Sequence, residues 1–173
     1  MEELEADKIP NVPHPRKNKK IYGHNNAKNS FLKSLQSEKL HHAWLIHGPK
    51  GVGKATLAWK IAKLLQNGFT NFEKVEEEGQ LSLISKRIEA LSEQSIFLCR
   101  RQFDKSKKKF LKEISVDEIR KINHFFSLSS TKAKYRIVII DNINELSISA
   151  SNALLKILEE PPSNGIFILI SEN

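Results

Sequence analysis

The feature that most constrains the fold is a glycine- and lysine-containing motif that follows an apolar run and precedes an amphipathic segment. Residues 48–54 are Gly-Pro-Lys-Gly-Val-Gly-Lys, which matches the pattern G-x-x-x-x-G-K. Residues 43–46 before it are apolar, and residues 56–66 after it place apolar side chains at helical spacing. A strand, a glycine-rich turn and a helix in this order form the context in which the motif binds phosphate. The alternative is a strand-to-helix turn with no ligand.

The spacing within this motif has a mechanical reason. Its glycines let successive backbone N–H groups point at one anion, and the dipole of the following helix adds to their attraction. The Lys54 ammonium would reach the β- and γ-phosphates of a nucleotide. The next residue is Ala55, where a Ser or Thr hydroxyl would ligate Mg²⁺, and Thr56 comes one position late. We therefore expect the phosphate-binding loop to form and Mg²⁺ to be held poorly.

A second candidate position follows the densest β-branched run, residues 137–140. This run ends at Asp141, and open α/β sheets place their ligands at the carboxyl ends of their strands. In a nucleoside triphosphatase such an aspartate helps to hold Mg²⁺, and an acidic neighbour often activates the attacking water. The neighbour here is Asn142, whose amide cannot take a proton at neutral pH, and the acid Glu145 lies well beyond the strand end. We expect weak binding of ATP or ADP without hydrolysis.

The predicted nucleotide-binding residues belong to the loop, the start of the next helix and the strand end. They are Gly48, Pro49, Lys50, Gly51, Val52, Gly53, Lys54, Ala55, Thr56 and Asp141. No catalytic residue and no metal ligand is predicted. The single cysteine, Cys99, excludes an internal disulfide framework and a multi-cysteine zinc site, and it fits a reducing compartment. We expect this cysteine to be a buried strand thiol rather than a nucleophile.

Short apolar runs alternate with amphipathic helical segments along the chain. The strand candidates are residues 43–47, 96–99, 136–140 and 166–170. The helix candidates are residues 25–40, residues 56–66, one helix within 70–95, one that begins at the capping box Ser115–Glu118, and residues 149–160. This alternation predicts an α/β domain with a parallel sheet flanked by helices.

The domain organisation expected from the sequence is a lead-in followed by one core. Residues 1–20 contain three prolines within six positions, which we expect to exclude a helix and to leave an extended segment. Residues 21–173 form the predicted nucleotide-binding core. No apolar run approaches the roughly 18 residues that a membrane-spanning helix needs, so a cytoplasmic protein without a membrane partner is expected.

The charge balance is basic. The chain has 28 Lys and Arg against 20 Asp and Glu, a formal net charge of +8, which favours a polyanionic partner or serves only solubility. Residues 100–112 concentrate lysines in a segment predicted to be a solvated hairpin or loop. These lysines could contact DNA phosphates, which is the basis of one alternative function, a bare DNA-binding module with a steep salt dependence.

Three stretches together resemble one family. They are residues 41–54 (His-His-Ala-Trp-Leu-Ile-His-Gly-Pro-Lys-Gly-Val-Gly-Lys), 139–141 (Ile-Ile-Asp) and 151–162 (Ser-Asn-Ala-Leu-Leu-Lys-Ile-Leu-Glu-Glu-Pro-Pro). They are similar to bacterial clamp-loader subunits of the AAA+ class, and most similar to the delta-prime subfamily of DNA polymerase III. The resemblance extends from about residue 13 to the end of the sequence.

This resemblance implies an AAA+ core with strand order 5-1-4-3-2, a lid and a helical collar. The fifth strand, the lid and the collar are not found in these 173 residues, so the sequence is expected to be the N-terminal part of a longer protein. The alternative is that a partner chain pairs with the sheet edge that the fifth strand would cover. The family's nucleotide-sensing position falls on Glu172 rather than on the usual Asn or Thr. Its arginine-presenting Ser-Arg-Cys motif and the four-cysteine zinc module of some members are not found in the sequence.

The implied function is that of a clamp-loader subunit that helps to place the sliding clamp on primed DNA. The implied partners are the gamma/tau and delta subunits, the sliding clamp and, through the complex, primed DNA. Such a chain belongs to a DNA-polymerizing nucleotidyltransferase complex without being catalytic itself. The alternative within the family is an active ATPase of the gamma/tau type, against which Ala55 and Asn142 argue.

Overall fold

The computed structural model describes residues 5–37, 39–128 and 133–172, and its centre is a four-stranded parallel sheet. The strands are β1 (Ala43–Gly48), β2 (Ile96–Cys99), β3 (Phe103–Asp104), β4 (Lys109–Phe110), β5 (Arg136–Asp141) and β6 (Gly165–Glu172). The helices are α1 (Asn25–Gln36), α2 (Lys54–Asn67), α3 (Phe72–Glu77), α4 (Leu83–Glu89), α5 (Val116–Ser127) and α6 (Ile148–Glu159).

The main sheet has the order β1-β6-β5-β2, and all three pairings are parallel. All four predicted strands are therefore confirmed. Counted without the small hairpin of β3 and β4, the order is 1-4-3-2, which agrees with the order implied by the resemblance for these four strands. The sheet places the carboxyl ends of β1, β5 and β6 along one edge.

Helices cover both faces of the sheet because the central residues of β5 and β6 are continuously apolar. Ile137 and Ile139 pack into a cluster with α1 to α4, whereas Val138 and Ile140 pack with α5 and α6. This alternation is the period of two expected for a strand that is buried on both faces. None of the helices within the described ranges is long and apolar enough to cross a membrane.

Within the predicted lead-in, residues 5–20 form no strand and no α-helix, and residues 1–4 lie outside the described residues. Residues Pro15–Lys17 form a 3-10 turn, which proline tolerates at its first position because the missing N–H has no partner there in any case. The turn is fastened to α2. Lys63 donates to the carbonyl oxygen of Arg16 at 2.9 Å, and Lys60 donates to that of Lys19 at 2.5 Å.

The single helix predicted within residues 70–95 is two helices, α3 and α4. Each begins at its own side-chain cap, because Asn71 accepts from the backbone N–H of Lys74 and Ser82 accepts from that of Ser85. The lysine-rich hairpin is confirmed as the antiparallel pair β3 and β4, whose Phe103 and Phe110 rings lie 5.2 Å apart.

Candidate functional site

The loop between β1 and α2 has the shape that the glycine-lysine motif predicts. Gly51 and Gly53 have φ angles of +84° and +96°, a region that only glycine adopts readily, and α2 begins directly afterwards at Lys54. His24 contacts the carbonyl oxygen of Val52 through Nε2 at 2.7 Å. The loop therefore has a defined turn at the start of the helix, held from outside by a histidine that sequence reasoning missed.

Lys54 is buried within its own loop. The residue is only 6% exposed, and Nζ donates to the carbonyl oxygens of Gly48 at 2.6 Å and Pro49 at 2.7 Å. Two of the three ammonium hydrogens are thus used inside the chain. The ammonium group that would attract a phosphate is present, but it is already hydrogen-bonded to carbonyl oxygens of the loop.

The hydroxyl of Thr56 is committed to the N-terminal segment. Thr56 Oγ1 accepts a hydrogen bond from Asn18 Nδ2 at 3.0 Å, and the residue is 7% exposed. Ala55 occupies the first position after the lysine and offers only a methyl group. The side-chain hydroxyl nearest to the loop therefore has a structural partner already.

A pocket of about 260 Å³ lies between the loop, the carboxyl ends of β5 and β6, and the N-terminal segment. The predicted residues that line it are Lys50, Gly51, Gly53, Lys54, Ala55, Thr56 and Asp141. Gly48, Pro49 and Val52 do not line it; their carbonyl oxygens hold Lys54 and His24 instead. The structure therefore brings the loop and the strand end together, as the sequence predicted.

The carboxyl group of Asp141 is partly buried, with more acidic than basic side chains near it. Burial raises its pKa to about 7, and the nearby charges of Asp7, Glu145 and Glu172 act in the same direction. At neutral pH this residue therefore carries less negative charge than an exposed aspartate does.

Sequence reasoning missed the residues that the N-terminal segment and the end of β2 bring to the pocket. Ala6, Asp7 and Ile9 line it from one chain end, and Arg101 lines it while pairing with Glu145 at 2.7 Å. Arg100 and Arg101 follow directly after β2, so the strand-end rule applied to Asp141 would also have drawn attention to them. No local pattern marks the N-terminal residues.

Among the described residues, no group of three or more His, Cys, Asp or Glu side chains could hold a metal ion. Cys99 is fully buried, and burial, followed by the charge of Glu118, raises its pKa to about 12. The prediction of a buried strand thiol is confirmed.

The fold is shared with a solved structure. The chain is similar to a DNA polymerase III gamma subunit-related protein from Thermotoga maritima, with a TM-score of 0.50 and 21% identity over 82% of this chain and 39% of that chain. This likeness concerns the fold alone, a parallel sheet with flanking helices.

The family follows from the sequence comparisons. The family model described as DNA polymerase III, delta subunit matches residues 23–173, and the chain belongs to this family. It is 34% identical over 146 residues to the delta' subunit of Buchnera aphidicola subsp. Schizaphis graminum, covering 83% of this chain and 40% of that protein. It is 32% identical over 151 residues to the gamma subunit of Buchnera aphidicola subsp. Acyrthosiphon pisum, covering 86% and 38%. The chain thus spans about two fifths of the length of these relatives.

Proposed function

We propose that this chain is a subunit of the bacterial replicative clamp loader that helps to place the sliding clamp on primed DNA and does not hydrolyse ATP itself. Membership of the DNA polymerase III delta family over residues 23–173 supports the loader role. Its direct partners are then other loader subunits, of the gamma/tau and delta types.

The observation that carries the non-hydrolysing part is the state of the two residues after Lys54. Ala55 has no hydroxyl, and the hydroxyl of Thr56 accepts from Asn18 at 3.0 Å. A Mg²⁺ ion would therefore lack its usual ligand next to the lysine. Asn142, which follows Asp141, cannot act as a general base.

The pocket is proposed to bind ATP or ADP weakly. The phosphates would meet the backbone N–H groups of residues 51–53, the ammonium of Lys54 and the start of α2, which is the arrangement that attracts anions. The binding is weak because Lys54 must leave two carbonyl oxygens and because four carboxyl groups, those of Asp7, Asp141, Glu145 and Glu172, line the same pocket.

The loader role is tested by purifying the tagged protein from its own cells under mild conditions. We expect subunits of the gamma/tau and delta types to co-purify in stoichiometric amounts. Recovery of the protein without any subunit of the polymerase contradicts the proposal. The competing hypothesis, an active gamma/tau-type ATPase, predicts nucleotide turnover by the chain alone.

The hairpin of β3 and β4 supports a second candidate function, direct contact with DNA phosphates. Five lysines of this segment are exposed, and the Phe103–Phe110 ring contact holds their backbone in place: Lys105, Lys107, Lys108, Lys109 and Lys112. Lys107 lies 3.6 Å from Asp104, while the other four lysines carry the positive surface. An ordered surface of one charge sign suits a phosphate backbone.

The salt dependence of binding to a labelled duplex tests this contact. Changing Lys105, Lys108, Lys109 and Lys112 to Gln should reduce the slope of log K against log[salt] by roughly 2 to 4. The matched control changes four exposed lysines elsewhere to Gln: Lys20, Lys33, Lys39 and Lys86. Equal losses in both variants would show diffuse charge attraction and would contradict a contact made by the hairpin.

A further inference from the structure

Residues 5–9, here called the strap, form one wall of the candidate nucleotide pocket. Ala6, Asp7 and Ile9 line the pocket together with Lys54 and Asp141. The strap has internal turns, with the N–H of Lys8 donating to the carbonyl oxygen of Glu5 at 3.2 Å. It is therefore a folded part of the site.

The contacts of Glu5 and Asp7 with His14, Arg16 and Arg100 hold the strap in place. Asp7 Oδ2 lies 2.8 Å from His14 Nε2, and its other oxygen pairs with Arg100 Nη1. Glu5 Oε1 pairs with Arg16 Nη2 at 2.8 Å and with Arg100 Nη2 at 3.4 Å. The side chains of both acids and both arginines are at most 13% exposed. Removing either acid would leave a nearly buried guanidinium short of a partner, which is costly.

Arg100 lies beside the nucleotide pocket rather than in its lining, and it holds the strap from there. It is the first residue after β2, at the edge of the sheet where ligands bind in open α/β folds. A planar guanidinium is well suited to phosphate recognition, and here it contacts two carboxylates of the strap. Lys54 is likewise held by carbonyl oxygens of its own loop. Both cations are therefore satisfied within the chain.

The strap also limits the size and the charge of the pocket. A volume of about 260 Å³ falls below the range of roughly 300–1,000 Å³ typical of small-molecule sites. Asp7 joins Asp141, Glu145 and Glu172 among the acids that line the pocket. A di- or triphosphate entering it would meet these carboxylates at short range in a partly buried setting, where repulsion is strong.

We propose that the strap closes this pocket against polyphosphate ligands. The carboxylate of Asp7 disfavours ligands with high negative charge, and Arg100 holds the strap in the closed position through its ion pairs. Release of the strap removes one carboxylate from the pocket wall, enlarges the pocket and frees the guanidinium of Arg100. The apparent affinity for a nucleotide is then the intrinsic affinity multiplied by the fraction of molecules with the strap released. This inference rests on the proposed nucleotide pocket and adds the element that governs its occupancy.

Calorimetric titration of the full chain with ATP, ADP and adenosine tests the proposal. Asp7→Asn keeps an oxygen for hydrogen bonding and removes the charge, and a variant without residues 1–9 removes the strap. We expect both variants to bind ATP roughly tenfold more tightly than the wild type, since each loses a like charge from the pocket. The gain should be smaller for ADP and absent for adenosine, because it depends on the charge of the ligand.

The matched control is Asp117→Asn, which changes the net charge equally and also removes an arginine pair, with Arg120 at 2.8 Å, from an exposed helix surface. It should leave nucleotide affinity unchanged.

The proposal is overturned if neither Asp7→Asn nor the shortened chain gains affinity, including the case in which no variant binds nucleotide. Lys54→Ala in the wild-type chain separates the two hypotheses. If it abolishes weak binding that the strap variants do not improve, the strap hypothesis fails and the pocket stands; if it changes nothing, the pocket hypothesis fails.

Discussion

Asn18 donates a hydrogen bond from Nδ2 to the hydroxyl of Thr56 at 3.0 Å, which ties the lead-in to the first turn of α2. The threonine hydroxyl would otherwise be the nearest substitute for the missing Mg²⁺ ligand at Ala55. Because this hydroxyl already accepts a hydrogen bond from Asn18, a threonine one position late in the motif does not replace the missing Mg²⁺ ligand. Helix α2 begins directly after the glycine-lysine loop, but the Thr56 hydroxyl in its first turn holds the lead-in against the helix.

The first prediction concerns ATP turnover by the chain alone. We expect phosphate release below about 1 per minute, because Ala55 offers no hydroxyl to a metal ion and Asn142 cannot activate a water molecule. Ala55→Thr alone should not restore turnover, since Asn142 still cannot accept a proton. Turnover above about 1 per minute that disappears in Lys54→Ala would contradict the proposed function.

The second prediction concerns the stability of the loop. Lys54→Met removes two charge-assisted hydrogen bonds to the carbonyl oxygens of Gly48 and Pro49. We expect the free energy of unfolding in urea to fall by about 1.5–3 kcal/mol. Lys50→Met is the matched control, because Lys50 is exposed and its loss should change stability by less than about 0.5 kcal/mol. Equal effects of the two variants would show that the buried ammonium does not stabilise the loop.

The third prediction concerns the reactivity and titration of Cys99. Burial raises the pKa of its thiol to about 12 from an ordinary 9.0, so the native thiolate fraction at pH 8 falls roughly a thousandfold. Native protein should react with iodoacetamide far more slowly than protein unfolded in guanidinium. Similar rates would show that Cys99 is accessible.

The same shift makes stability depend on pH with a definite sign. The folded thiol keeps its proton to a higher pH than the unfolded thiol does, so the folded state binds more protons between about pH 9 and 12. The contribution of Cys99 to the free energy of unfolding is therefore lost as pH rises through this window. Cys99→Ala should remove this part of the slope, and an unchanged slope would contradict the shift.

The fourth prediction concerns the acids at the end of α6. Glu159 ends the helix and Glu160 follows it, both exposed, where negative charge opposes the helix dipole by about 0.3–1 kcal/mol each at low salt. Changing both to Gln should leave the melting temperature unchanged or slightly higher. We expect the change to weaken assembly with other loader subunits, measured by gel filtration of the mixture.

The control for these acids lies in the same chain. Glu77 ends α3 and Glu78 follows it, both exposed in the same relation to a helix end. Changing this pair to Gln should affect melting similarly and leave assembly intact. A lower melting temperature with normal assembly in the Glu159 and Glu160 variant would show that those acids are structural.

The sheet could be predicted from sequence because its signals are local. Residues 137–140 are continuously apolar and β-branched, and they form a central strand with both faces covered. The loop could be predicted for the same reason, since its glycines, its lysine and the following helix are adjacent in sequence. The carboxyl-end rule then placed Asp141 beside the loop correctly.

The strap could not be predicted because its contacts join polar residues that are far apart in sequence. Asp7 and Arg100 are 93 positions apart, and no periodicity relates them. The lead-in was expected to be extended because prolines disfavour helices, whereas Lys60 and Lys63 of α2 fasten its carbonyl oxygens. Buried lysines that bind backbone carbonyls leave no signal in an apolar pattern.

The most direct test of the central claim is a clamp-loading measurement with and without this protein. Loading of the sliding clamp onto primed DNA is followed with the remaining loader subunits of the same organism, ATP and Mg²⁺. The proposed function predicts that loading falls to background when the protein is left out and returns when it is added. Loading that proceeds at the same rate without the protein would contradict its role as a clamp-loader subunit.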